Sequence, residues 1–152
     1  DPLRKAVHKL KYRGDLAQGD ALSAHLLEVI WRAGLEMELV IPVPLGRQRE
    51  RQRGYNQAGL LARPLAAALG LPYRPKAISR VRETASQVGQ SLEARRENVA
   101  DAFFARPEHV SGKRVLLVDD VLTTGATLDA AAKALKQAGA IHVGAVVVSQ
   151  AV

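Results

Sequence analysis

The sequence has no cysteine among its 152 residues, which excludes both a disulfide framework and a cysteine-ligated zinc site in this chain. Aromatic side chains are few, at one Trp, three Tyr and two Phe, a composition that argues against an extended base-stacking platform for single strands. No apolar run approaches the ~20 residues that a membrane helix needs, so no membrane insertion is expected. No charged-then-apolar leader is visible, and a cytoplasmic location is the default expectation. No internal repeat, low-complexity segment or Gly-x-x-x-x-Gly-Lys-Ser/Thr loop occurs, so a Walker-type nucleotide site is unsupported. The four histidines, His8, His25, His109 and His142, stand in separate contexts without a nucleophile motif, and a Ser-His-Asp reading has no support.

What is present is basic and globular. The formal charge is +7, with a pI near 10.1, a balance that favours anionic partners such as phosphorylated metabolites or nucleic acid. A hydrophobic fraction of 47% and a mean hydropathy of -0.06 describe one globular domain over residues 1–152. Helical spacing covers residues 2–12 and 15–32, the second with Leu16, Leu22, Leu26, Leu27 and Ile30 inward. Trp31 is expected to pack against the core. Residues 39–43 read as a strand closed off by Pro42 and Pro44. An arginine-rich loop follows over 45–56, with Arg47, Arg49, Arg51 and Arg53 opposed only by Glu50. Residues 57–69 read as a helix that Pro64 should kink or break. Strands are expected at 73–79, 102–105, 114–119 and 142–148, a turn at 106–112 and a helix at 127–137. The polar stretch 81–98 reads as a long loop, of the kind that forms a lid or a disordered segment. Alternating strands and helices imply a mostly parallel sheet with helices on both faces. Ligands of such sheets bind outside the carboxyl ends of the strands.

The organising stretch is 114–127, RVLLVDDVLTTGAT. Val115, Leu116, Leu117 and Val118 form an apolar run of the buried, parallel-sheet kind. It gives way to two carboxylates, Asp119 and Asp120, read as lying where the chain turns at the strand end. The small, hydroxyl-rich turn Thr123, Thr124, Gly125, Ala126 and Thr127 then opens a helix. A helix N-terminus offers unpaired N–H groups and about half a positive charge, which favours a phosphate. Carboxylates accept hydrogen bonds from hydroxyls and bind hard cations. Together these features suit a ligand with a phosphate at one end and hydroxyls or a metal at the other, such as a phosphorylated sugar.

This segment resembles the signature of the type I phosphoribosyltransferases. The resemblance implies that Asp119 and Asp120 meet the ribose hydroxyls of 5-phosphoribosyl-1-pyrophosphate and that residues 123–127 hold its 5-phosphate. It further implies pyrophosphate binding by Pro44, Leu45, Gly46 and Arg47, after the first core strand. A flexible loop carrying Arg80, Arg82, Arg95 and Arg96 would close over the site, and Mg²⁺ would bind with the substrate, with Asp119 and Asp120 as its candidate protein ligands. Further blocks narrow the resemblance. Lys11-Tyr12-Arg13-Gly14-Asp15, Arg53-Gly54-Tyr55-Asn56-Gln57-Ala58, residues 84–87 and Arg95-Arg96-Glu97-Asn98-Val99 are similar to the ComF family, in that family's order. The family implies a role in DNA uptake in competent bacteria, with single-stranded DNA and a helicase as partners. Many members carry an N-terminal cysteine zinc-binding piece, which this sequence lacks.

Two functions follow from that resemblance. One is transfer of a phosphoribosyl group to a nitrogenous acceptor with release of pyrophosphate; the other is a ligand-sensing or DNA-handling accessory on the same fold. Residues 1–35 are the candidate hood over an acceptor, and 36–152 the core.

Overall fold

The computed structural model describes residues 16–81, 102–122 and 124–150. Its centre is a three-stranded parallel sheet in the order β1-β4-β5. These strands are β1 (Leu39–Pro42), β4 (Arg114–Leu122) and β5 (His142–Gln150). A separate antiparallel pair joins β2 (Ile78–Arg80) to β3 (Phe103–Ala105). The helices are α1 (Leu16–Ala33), α2 (Arg47–Arg53), α3 (Gln57–Leu69), α4 (Pro107–Val110) and α5 (Ala126–Gln137).

Alternation along the strands divides the core into two layers, one on each face of the sheet. On one face, Leu116 and Val118 of β4 pack with Val40, Val146 and Val148 against Leu22, Leu26 and Ile30 of α1 and Leu61 and Leu65 of α3. On the other, Val115 and Leu117 join Leu39 and Ile41 against Ala131 and Leu135 of α5, together with Ile78, Phe103 and Val110. The expected α/β fold with helices on both faces is thus the observed one. Inside the first layer, the buried Ser23 hydroxyl donates to the Leu61 carbonyl at 2.8 Å, tying α1 to α3.

Several elements depart from the sequence reading. The 73–79 strand shrinks to a single bridge, Tyr73 to Val40, followed by a turn and then β2. Pro72 and Pro75 flank that bridge and offer no N–H to a ladder. Residues 106–112 contain the short helix α4, with Pro107 in its first turn, where a missing N–H costs nothing. Helix α3 runs through Pro64 without a break. Trp31 is 68% exposed rather than packed, because one step past Ile30 turns it about 100° off the buried line of α1. Residues 2–12 and most of the long polar loop lie outside the described residues.

The largest departure concerns the arginine stretch. Residues 47–53 form a helix, not a loop. Arg, Gln and Glu are good helix formers, and the two glycines that bracket the stretch are its caps. Gly46 is the N-cap, and Gly54 closes the helix in the left-handed region at φ 78, its N–H donating to the Glu50 carbonyl. None of its seven residues is buried.

Candidate functional site

The acidic pair lies within β4, not in a turn after it. The ladder with β5 continues through Leu122↔Gln150, whereas pairing with β1 stops at Pro42↔Val118. The Val43 N–H still donates to the Val118 carbonyl at 2.9 Å, and then β1 ends. Among the described residues, β4 beyond Val118 therefore has a strand neighbour on one side only. Successive residues direct their backbone groups to alternate sides of a strand, so Asp120 turns its N–H toward the side that β1 has left. Asp119 Oδ1 accepts that N–H at 2.8 Å, and Asp120 Oδ1 accepts the Val121 N–H at 2.9 Å. The Asp119 carboxylate thus satisfies a backbone donor on the side where β1 has ended.

Asp120 is buried and Asp119 half-buried. Burial pushes the Asp119 carboxyl well above the usual carboxylate range, the neighbouring Asp120 carboxylate pushes in the same direction, and the Arg80 guanidinium pulls back. Two adjacent carboxylates in a desolvated setting are an incentive to bind a cation or a hydroxyl donor.

After β4, Gly125 sits in the left-handed region at φ 81 and forms the N-cap of α5. The glycine cap itself brings no side-chain acceptor to the first turn. Thr124 Oγ1 accepts the Ala126 N–H at 3.2 Å, and the threonine hydroxyl keeps its own proton to donate. Thr127 lies inside the first turn of α5. Thr123 lies outside the described residues, as do Arg82, Arg95 and Arg96.

Arg80 is placed on β2 rather than in a flexible loop. Its guanidinium lies 5.2 Å from the centroid of the Phe103 ring. Arg80 also lines a cleft of about 650 Å³ with Ser79, facing Arg47 and Arg51 of α2. Among the described residues, three arginines line this cleft and no carboxylate does. Arg47 and Arg51 are one helical turn apart, so they share a face; read as a loop, the sequence left Arg51 unassigned. Arg53 points elsewhere, its Nη1 donating to Gln57 Oε1 at 2.7 Å. The Pro44–Arg47 stretch therefore divides. Arg47 faces the cationic cleft, whereas Pro44 lines a second cleft on the other side of α2. Gly46 is buried as the helix N-cap, and Leu45 is half-buried. Among the described residues, no group of three or more His, Cys, Asp or Glu side chains is arranged to hold a metal, and no helix is long and apolar enough to cross a membrane.

A parallel α/β sheet with an acidic pair on its outrunning strand, a glycine-capped helix beyond it and arginines after the neighbouring strand defines a protein class with its candidate site at the carboxyl ends of β1 and β4. The chain belongs to the phosphoribosyl transferase domain family, which matches residues 53–151. It is 37% identical over 147 residues to the DNA utilization protein YhgH of Salmonella typhimurium, covering 93% of this chain and 64% of that protein. It is 40% identical over 126 residues to competence protein F of Haemophilus influenzae, covering 82% of this chain and 52% of that one. The chain thus spans about half to two thirds of the length of these relatives. Its fold is that of adenine phosphoribosyltransferase from Thermoanaerobacter pseudethanolicus, with a TM-score of 0.60 at 22% identity over 91% of this chain and 71% of the other.

Proposed function

We propose that the protein binds 5-phosphoribosyl-1-pyrophosphate with Mg²⁺ and transfers the phosphoribosyl group to a nitrogenous acceptor. The observation that carries this reading is the acidic pair on β4 beyond the end of β1, followed directly by the glycine-capped N-terminus of α5. In this reading Asp119 and Asp120 accept the ribose hydroxyls. Thr123, Thr124 and Thr127, with the amides of Gly125 and Ala126, surround the 5-phosphate. Arg47, aided by Arg51 and Arg80, takes the pyrophosphate, and Pro44, Leu45 and Gly46 position that arginine. Arg82, Arg95 and Arg96 complete the cover over the site.

Transfer breaks the bond from sugar C1 to a pyrophosphate oxygen and forms one from C1 to the acceptor nitrogen, which loses a proton. The pyrophosphate oxygen leaves with its electron pair, and positive charge develops at C1. Positioning and electrostatics serve such a reaction better than a covalent nucleophile. A hard divalent cation fits the carboxylate donors present, since Asp119 ionises reluctantly beside Asp120 and a cation offsets that repulsion. When bound with the ligand, Mg²⁺ would be held by Asp119 and Asp120 and would neutralise pyrophosphate charge.

Calorimetry with phosphoribosyl pyrophosphate, with and without Mg²⁺, tests the binding step. A screen of nitrogenous bases for pyrophosphate release then tests turnover. Binding is expected to need Mg²⁺ and to vanish in a folded Asp119→Asn/Asp120→Asn variant; undiminished binding by that variant would overturn the site.

A second reading, a non-catalytic accessory that handles single-stranded DNA, draws on helix α2. Four arginines stand there on a helix with no buried residue, and the relatives carry names of DNA utilization and competence. Under it, no acceptor releases pyrophosphate. Replacing all four arginines with Gln then flattens the salt dependence of DNA binding by a slope of ~0.7 per lost phosphate contact.

A further inference from the structure

The second cleft beside α2 differs from the first in charge and in lining. It has a volume of about 820 Å³ and is walled by α3, by Glu50 of α2 with Tyr55 just after that helix, by Asp20 of α1 and by the segment around Tyr73. Tyr55 and Tyr73 both line it, two of the six aromatic residues in the chain. Among the described residues its charged groups are Asp20, Glu50, Arg63 and Lys76, two of each sign, so these contribute no net charge. The Arg63 guanidinium lies over the Tyr73 ring, 5.6 Å from its centroid, so cation and ring form a stacked pair in the wall. Gly59 forms part of the wall; a Cβ there would stand 3.0 Å from the Tyr73 hydroxyl. A side chain at 59 would therefore press on the Tyr73 hydroxyl and take up space in the cleft.

A phosphate has no reason to prefer this cleft to the cationic one across α2. A flat, uncharged ring does. Tyrosine faces and a guanidinium plane stack on it. Carboxylates accept from its ring N–H and amino groups, while Arg63 and Lys76 donate to its carbonyl or ring nitrogens. The volume suits a small ligand, and a mainly apolar wall with a few polar groups is the usual make-up of such sites. The Tyr73 segment borders β1 on the edge opposite β4, so this cleft and the acidic pair lie on different sides of β1.

We infer that the cleft between α2, α3 and Tyr73 is a second ligand site, separate from the phosphate site, that binds an uncharged planar nitrogenous ring of the nucleobase or nucleoside class. Saturation-transfer NMR on the full chain with adenosine, guanosine, cytidine and thymidine tests this, with ribose as the control that lacks a ring. At least one nucleoside is expected to bind and ribose not to. Gly59→Leu, which fills the cleft, should weaken that nucleoside at least tenfold, and Arg63→Gln should weaken it severalfold. Circular dichroism and thermal melting confirm that each variant is folded. The Asp119→Asn/Asp120→Asn variant should keep the nucleoside affinity, and inorganic pyrophosphate should not compete. Silence from all four nucleosides at millimolar concentration would overturn the inference, as would unchanged binding in both cleft variants. Loss of binding in the acidic-pair variant, or competition by pyrophosphate, would move the ring to the phosphate site and overturn it equally.

Discussion

Asp119 holds its proton more tightly in the folded protein than an ordinary carboxyl does. The folded state therefore binds more protons than the unfolded chain once pH exceeds the usual carboxylate range of about 4. Stability then falls as pH rises from that range through the raised folded value, and above it the full cost of ionising Asp119 is present. Asp119→Asn removes that cost and keeps an oxygen to accept the Asp120 N–H. The variant is expected to melt above the parent at pH 7 and 8, with the gap closing below about pH 4. Thermal melting across that range checks it, and a variant less stable than the parent at pH 7 would contradict the desolvated-carboxyl account. Six residues further on, Gly125 at φ 81 makes a different demand. A branched side chain disfavours that backbone region, so Gly125→Val should cost on the order of 1–3 kcal/mol in stability. Under the proposed function it should also weaken ribose 5-phosphate and the pyrophosphorylated ligand alike. A loss confined to the latter would place Gly125 at the pyrophosphate end instead.

At the scale of elements, the two faces of α2 make separable predictions. Arg47 and Arg51 share the cationic cleft; under the proposed function, Arg47→Gln and Arg51→Gln should each weaken phosphoribosyl pyrophosphate by about 1.5–3 kcal/mol, the range for charged hydrogen bonds. Arg49→Gln, outside that lining, should leave the affinity unchanged; calorimetry on the three single variants separates these outcomes. The strands of this region were legible in the sequence, because β-branched apolar runs have few alternatives to burial in a parallel sheet. The helix was not. It has no apolar periodicity to read, and its flanking glycines look the same as punctuation for a loop or as caps. The far end of β4 was hidden for a related reason. Adjacent carboxylates suggest that a strand has stopped, yet pairing with β5 carries Asp119 and Asp120 onward. That an acidic pair stands just before a helix N-terminus could be read from residue order, but the shared cleft of Arg80 with Arg47 and Arg51 could not. It depends on a β2–β3 pair that packs beside the sheet, a contact that local pattern does not encode.

In the whole molecule, the packed layers are built from residues outside the candidate site. Leu61 and Leu116 are fully buried in the same layer, so Leu61→Ala should cost about 2–5 kcal/mol. Denaturant unfolding checks this, and ligand affinity measured well below the midpoint should be unaltered. The sheet could be anticipated in outline because its core strands are nearly pure apolar sequence. Its thinness at the site, where among the described residues β4 runs on with a strand neighbour on one side only, arises from the different lengths of β1 and β4. Only pairing reveals that difference.

Helix α2 has glycines at both ends and no buried side chain. Drift in its sequence is therefore nearly silent in folding. Arginines there can be gained, lost or moved by a turn with little effect on the core, provided the two glycines and the helical propensity remain. Relatives could diverge in the anions they prefer while the sheet beneath stays the same. A library randomised at 47, 49, 51 and 53 would sample binding preference in a chain whose folding hardly varies.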